Sequence, residues 1–276
     1  MNCHYYLIVE PLLLLGYHDD VNVQPSSSAV VKTKLKEYKV SFFTNTNQLY
    51  MIRIDIPNVV DKALQQKELE TIQTIKEHIL SVLRLTYDHD VSLFPRPLWN
   101  FIKLGEAPSF HVKIEEIVNP NFDPHVENIR NTFVTTFPIR VQMKLIADAQ
   151  DKRLPLQYRY LSLYKLLELE LKKKEDWTKE IEELTDRFEE EFGSLGQKKK
   201  LINYIHSLRV RCAHIKTTKG VIAVTQLSNK DMLEIDRFLP LMTKMCVTLI
   251  NEKYRETGFS LVDRETFSQK LKEKGI

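Results

Sequence analysis

Leu201-Ile-Asn-Tyr-Ile-His-Ser-Leu-Arg209-Val-Arg-Cys-Ala-His214 decides the class of the second half of the chain. Leu201, Tyr204, Ile205 and Leu208 recur three and four residues apart, which puts apolar side chains on one face of a helix. The Gln197-Lys-Lys-Lys200 run begins this helix, and it ends near His214. Upstream, Leu154-Pro155 starts another helix, with Tyr160, Tyr164, Leu167 and Leu171 as its apolar stripe. Between the two, Trp177 to Phe192 is acidic, with Ile181, Leu184 and Phe188 facing inward and Gly193 and Gly196 as stops. Downstream, Lys219-Gly220 turns a short β-hairpin containing Ile222 and Val224. Ser228 then caps a last long helix, with Asp231 at the capping-box position. Its inward face carries Met232, Ile235, Leu239, Met242, Cys246 and Leu249.

Residues before about 120 have a different texture. Tyr5-Tyr-Leu-Ile-Val-Glu10-Pro-Leu-Leu-Leu-Leu15 is apolar but lacks a basic leader and is broken by Glu10 and Pro11, so it reads as a buried strand and not a signal peptide. Val30–Val31 and Tyr38–Phe43 are rich in β-branched and aromatic residues. Leu49 to Ile56 alternates, with Tyr50, Ile52, Ile54 and Ile56 on one face. Asn45 to Asn47 marks an antiparallel hairpin between the last two runs. A helix spans Asp61 to about Leu85, with Leu64, Leu69, Ile72, Ile75, Ile79 and Leu83 at helical spacing. Ser109 to Ile117 alternates again, and Asp123-Pro124 is a helix start. The expected division is a mixed strand and helix domain over 1–122 and a helical domain over 123–276, an α+β chain.

The 276 residues are 43% hydrophobic and 28% charged, the balance of a globular protein. Only seven are glycine, which leans towards helix. The formal net charge of +3 gives no global basic field, so a nucleic-acid contact has to come from a local patch. Cys3, Cys212 and Cys246 are too scattered for a zinc site or a disulfide framework and fit a reducing cytoplasm. There is no metal-ligand spacing, no Gly-rich phosphate loop and no H-E-x-x-H or G-x-S-x-G motif, so neither metal nor cofactor is expected. No apolar run is long enough for a membrane span.

The one constellation that carries chemistry is Arg209-x4-His214. Arginine offers a permanent planar fork of donors suited to phosphate, and histidine moves a proton near neutral pH. Five residues turn a helix by about 500°, so the pair converges only where the helix ends or across a two-fold axis. The spacing alone is weak, since Arg84-Leu-Thr-Tyr-Asp-His89 repeats it at the frayed end of the first helix. Three readings of Arg209 and His214 stand: a ribonuclease pair, cations that favour a helix C-terminus, or ligand binding without chemistry. Glu168 is either a solvated flank residue or a partner of Arg209. Lys198, Lys199 and Lys200 are either a solvated helix start or contacts to an RNA backbone, and Arg211 fits either role.

Tyr160-Leu-Ser-Leu-Tyr-Lys-Leu-Leu-Glu168, the acidic helix, and Tyr204 to His214 together resemble HEPN domains, most of all the Apea-like and MauJ-like branches. The resemblance spans about residues 150–253. It implies a helical bundle with a short β-hairpin insertion, whose third helix carries R-x4-6-H. It further implies a homodimer through that bundle, in which two motifs form one metal-independent RNA-cleaving cleft serving defence or stress response. Arg209, His214 and Glu168 would be the catalytic residues. Many family members carry a polar residue directly after the arginine, where this chain has Val210. Lys216 stands where the nucleotidyltransferase-paired toxins have tyrosine. The alternative expectation is therefore a HEPN module without catalysis, binding RNA or a ligand and dimerising. Residues 1–122 carry no recognisable acid–base pair or phosphate loop and are expected to recognise a protein partner or to hold the HEPN dimer in place.

Overall fold

The computed structural model describes residues 3–10, 25–33, 36–45, 48–56, 62–86, 92–94, 126–171, 177–196, 200–213, 228–257 and 261. The chain forms two compact units, Met1–Arg140 and Val141–Ile276. Its class is α+β, a sheet unit followed by a helical bundle.

In the first unit, strands β1 (Cys3–Glu10), β2 (Ser27–Lys32), β3 (Glu37–Asn45), β4 (Gln48–Ile56) and β5 (Ser92–Phe94) form one sheet among the described residues, in the order β2-β3-β4-β1-β5. Each neighbouring pair is antiparallel. The expected hairpin is present: β3 and β4 pair from Asn45↔Gln48 inward. A register shift between Phe43 and Thr44 inserts one extra β4 residue. Such a bulge reverses side-chain parity, so Leu49 joins Ile52, Ile54 and Ile56 in the core. The apolar N-terminal run supplies β1, which lies inside the sheet between β4 and β5.

Helix α1 (Lys62–Thr86) brings Ile72, Ile75, Ile79, Val82 and Leu83 to that core. Its buried Glu68 pairs with Lys36 and accepts from the Tyr38 hydroxyl, which satisfies a carboxylate that would otherwise be costly to bury. Helix α2 (Val126–Thr136) packs on β2, β3 and α1 and adds Ile129 and Phe133. Glu127 and Arg130 strap it to β2, accepting from the Ser27 hydroxyl at 2.7 Å and donating to the Ser28 carbonyl at 2.8 Å. The compact units divide at Arg140/Val141, with α2 on the sheet, while the expected boundary at 122/123 lies outside the described residues. The Asp123-Pro124 start and the alternating 109–117 run lie outside the described residues.

In the second unit, α3 (Arg140–Gln150, all but its first residue), α4 (Leu156–Leu171), α5 (Trp177–Asp186), α6 (Glu189–Ser194), α7 (Leu201–Ala213) and α8 (Asn229–Lys253) form the bundle. The stripe Tyr160, Tyr164, Leu167 and Leu171 is buried, as are Leu201, Tyr204, Ile205 and Leu208. Phe192, Tyr204 and Phe238 meet ring to ring at 5.1–5.9 Å between centroids and tie α6, α7 and α8 together. Two corrections concern helix bounds and faces. The acidic segment is two helices, broken at Arg187–Phe188, and it is Gly196, with φ +76°, that stops the second; Gly193 lies within it. Met232 belongs to the exposed first turn of α8, while Ile235, Leu239, Met242, Cys246 and Leu249 are buried. Ser228 caps the start of α8 as expected: its Oγ accepts from the Asp231 backbone at 3.1 Å and donates to the Asp231 carboxylate at 2.7 Å. The β-hairpin expected at Lys219-Gly220 lies outside the described residues. No described helix is long and apolar enough to cross a membrane.

Candidate functional site

Helix α7 turns His206 and Arg209 towards α4, because residues three apart on a helix share a face. The facing residue on α4 is Tyr164, with Glu168 one turn further along the same helix. Tyr164 is buried, while His206, Arg209 and Glu168 are half-buried. The Tyr164 hydroxyl lies 3.0 Å from His206 Nδ1, and the two rings meet edge to face at 5.9 Å between centroids. The Arg209 guanidinium sits over the same phenol ring, 5.7 Å from its centre. A cation over a ring face contributes about 0.5–1 kcal/mol, enough to bias the rotamer of a long side chain. Burial pushes the Tyr164 pKa up, the charge of Glu168 adds to this, and Arg209 offsets part of it. The phenol therefore stays protonated throughout the neutral range.

Of the site residues read from sequence, the bundle brings Arg209 and Glu168 to one ring, that of Tyr164. His214, Lys198 and Lys199 lie outside the described residues. Lys200 is exposed immediately before α7, and its carbonyl accepts from the Tyr204 backbone at 3.1 Å. The first backbone N–H of α7, at Leu201, donates to Glu189 at 2.8 Å.

Arg211 turns the other way. Its guanidinium pairs with Asp231 and, at 2.7 Å, with Glu234, both on α8. These pairs clamp the last turn of α7 to the first turns of α8, which commits the charge of Arg211 to the bundle. Cys212 is buried, and burial pushes its thiol up to about 12, so it is inert as a nucleophile. Among the described residues no three His, Cys, Asp or Glu side chains gather as a metal site.

Sequence reading passed over His206. The signal was present: a histidine three residues before the arginine, in register with a tyrosine of the preceding stripe. It was legible only once α4 and α7 were known to pack together. An open cleft of about 540 Å³ lies elsewhere, between α4, α5 and α8, floored by Leu171, Leu184 and Leu249 and edged by Glu180, Glu183 and Glu252. Tyr164, His206 and Arg209 do not line it.

Residues 144–251 match the family model of the methylamine utilization protein MauJ, whose MauJ-like members are of the HEPN type. The matched stretch contains α4 to α7 and nearly all of α8, and with them Tyr164, Glu168, His206 and Arg209. No curated protein and no solved structure matches the chain.

Proposed function

We propose, from the likeness of residues 144–251 to MauJ-like proteins of the HEPN type, that the helical unit is a metal-independent endoribonuclease. The observation that carries this reading is Arg209, held over Tyr164 on the last turns of α7, five residues before His214. His214 moves a proton at the RNA 2′-hydroxyl or at the leaving oxygen, as a general base or acid. Arg209 holds the scissile phosphate and stabilises the charge that develops on it. Glu168 balances the local positive charge beside Tyr164. Two copies of the bundle form the cleft as a homodimer, and the exposed Val210, Met232 and Leu233 give this unit apolar surface for a partner copy. Lys198, Lys199 and Lys200 contact the RNA backbone. The sheet unit recognises a protein partner, and the enzyme acts in the cytoplasm in defence or stress response.

Attack by a 2′-hydroxyl needs ribose. An RNA oligonucleotide should therefore be cut to products ending in a 2′,3′-cyclic phosphate, and the same sequence as DNA should survive. Cleavage of both would remove this mechanism.

The second reading is a HEPN module that binds RNA or a ligand without chemistry. Val210 favours it, an exposed apolar residue directly after Arg209 where many HEPN members carry a polar one. Binding of RNA without any cleaved product would select it.

A further inference from the structure

We propose that the outer edge of β2 docks an extended segment of a partner protein, which adds to the sheet as a further strand. This rests on the reading that the sheet unit recognises a protein partner, and it names the surface and the chemistry of the segment.

β2 is an outermost strand of the sheet among the described residues. Its pairing with β3 fixes which backbone groups turn outward. The Thr33 N–H donates to the Lys36 carbonyl at 2.8 Å, so 33 and 36 form a hydrogen-bonded pair that continues the register Lys32↔Glu37, Val31↔Tyr38, Val30↔Lys39. Bonded and non-bonded pairs alternate along an antiparallel ladder. Ala29 and Val31 therefore bond to β3, while Ser28, Val30 and Lys32 point their N–H and C=O groups away from it. The same parity leaves the Ser28 carbonyl open to Arg130 Nε of α2, which donates to it at 2.8 Å. Among the described residues no group pairs with the outward N–H and C=O of Val30 and Lys32. Such a row of main-chain donors and acceptors is matched by another extended backbone and not by a helix, whose own groups are already paired.

The side chains around the edge define the segment. Ala29 and Val31 are buried on the core face, and Val30, 49% exposed, stands on the other. Glu127 accepts from Ser27 Oγ and Arg130 donates to Ser28, so this stripe of α2 advances along β2; Val134, 46% exposed, is next in it. A strand added to β2 lays one face on the side of α2 and Val134 and the other beside Val30. The first face calls for aliphatic side chains. On the second, Lys32 is paired with Glu37 at 2.8 Å, and Lys39, exposed and in register with Val30, is the surplus charge of β2 and β3. The segment that fits alternates aliphatic and acidic residues, with glutamate stems over Val30 and carboxylates towards Lys39.

The test is fluorescence anisotropy of the full chain with a labelled hexapeptide that alternates valine and glutamate. Wild type should bind it, and should bind a valine–lysine peptide, or the same peptide N-methylated at alternate residues, more weakly. Val30→Pro removes an N–H that points away from β3, so the ladder is kept and the urea midpoint should hold, as for proline on other edge strands. Its binding should weaken by about tenfold, because the added strand loses a main-chain bond. If Val30→Pro unfolds, Val30→Glu decides: it keeps every backbone group and sets a like charge against the peptide's glutamates. Binding that the folded Val30 variants do not weaken overturns the edge and leaves partner recognition standing. Wild type that binds nothing up to roughly 1 mM overturns the proposal and the partner reading together. Sedimentation in which Val30→Pro shrinks the wild-type assembly makes the occupant a second copy and overturns the partner segment.

Discussion

The hydroxyl of Tyr164 and Nδ1 of His206 stand 3.0 Å apart across α4 and α7, though 42 positions separate them in the chain. One turn earlier on α4, Tyr160 does the same for the adjacent residue: its hydroxyl donates to the Ile205 carbonyl at 2.7 Å. Two tyrosines of one helix thus brace two consecutive residues of another, and they fix the height at which Arg209 leaves the bundle.

Tyr160→Phe removes one of these braces. The ring stays in the core, but the Ile205 carbonyl loses a buried donor. The expected cost is about 1–2 kcal/mol, read as a lower urea midpoint with an unchanged slope. A variant as stable as wild type would mean that this bond does not brace α7.

Arg209→Lys should retain the fold and lose most cleavage. An ammonium keeps the charge but cannot reproduce the fork that grips two phosphate oxygens. Removing a donor aimed at developing charge costs about 10²–10³-fold in kcat, and single-turnover kinetics would measure it. A lysine variant with wild-type kcat would show that only charge matters at this position.

Arg211 lies two residues further along, yet a different outcome is expected. Its side chain pairs with Asp231 and Glu234, all three being between a quarter and a third exposed. After discounting for solvent screening, Arg211→Ala should cost about 1–2 kcal/mol of stability. The salt dependence of RNA affinity should not change, because the guanidinium is engaged within the bundle. A shallower salt slope in this variant would return Arg211 to the RNA-contacting set.

Much of the bundle was legible in sequence. Apolar residues recur at 3.6-residue spacing from Tyr160 to Leu171, from Leu201 to Leu208 and from Ile235 to Leu249, and those positions are the buried ones. The break at Arg187–Phe188 was not legible, since neither residue is a glycine or proline and the inward face continues through it. Nor was the assignment of α2, because Ile129 and Phe133 would show the same spacing against a sheet or against another helix. The bulge in β4 left no mark, as the alternating run seemed complete without it. The site was legible by half. Arg209 stands in a local motif, whereas the tie between His206 and Tyr164 exists only through packing between distant segments.

His78 makes the sheet unit sensitive to acid. Its ring is buried, with Nε2 3.0 Å from the Phe133 carbonyl and 3.3 Å from the Thr136 hydroxyl. Burial lowers its pKa from 6.5 to about 4, outweighing the Phe133 carbonyl, which favours the charged form. The unfolded chain therefore binds this proton more tightly than the folded one. The stability that follows is fully present above pH 6.5 and is lost as pH falls towards 4, on the order of 3 kcal/mol in all. Urea midpoints of wild type should fall across that window, and His78→Leu should fall less steeply. Parallel slopes would show that His78 is not the group responsible.

The central claim is chemistry by arginine and histidine alone, and the most direct measurement is cleavage of total RNA by the purified chain in EDTA, beside His214→Ala. The account predicts that wild type cuts in EDTA and that the variant is slower by about 10²–10⁴-fold, the usual contribution of a positioned general acid or base. Cleavage abolished by EDTA and restored by magnesium, or equal rates in the two proteins, would contradict it.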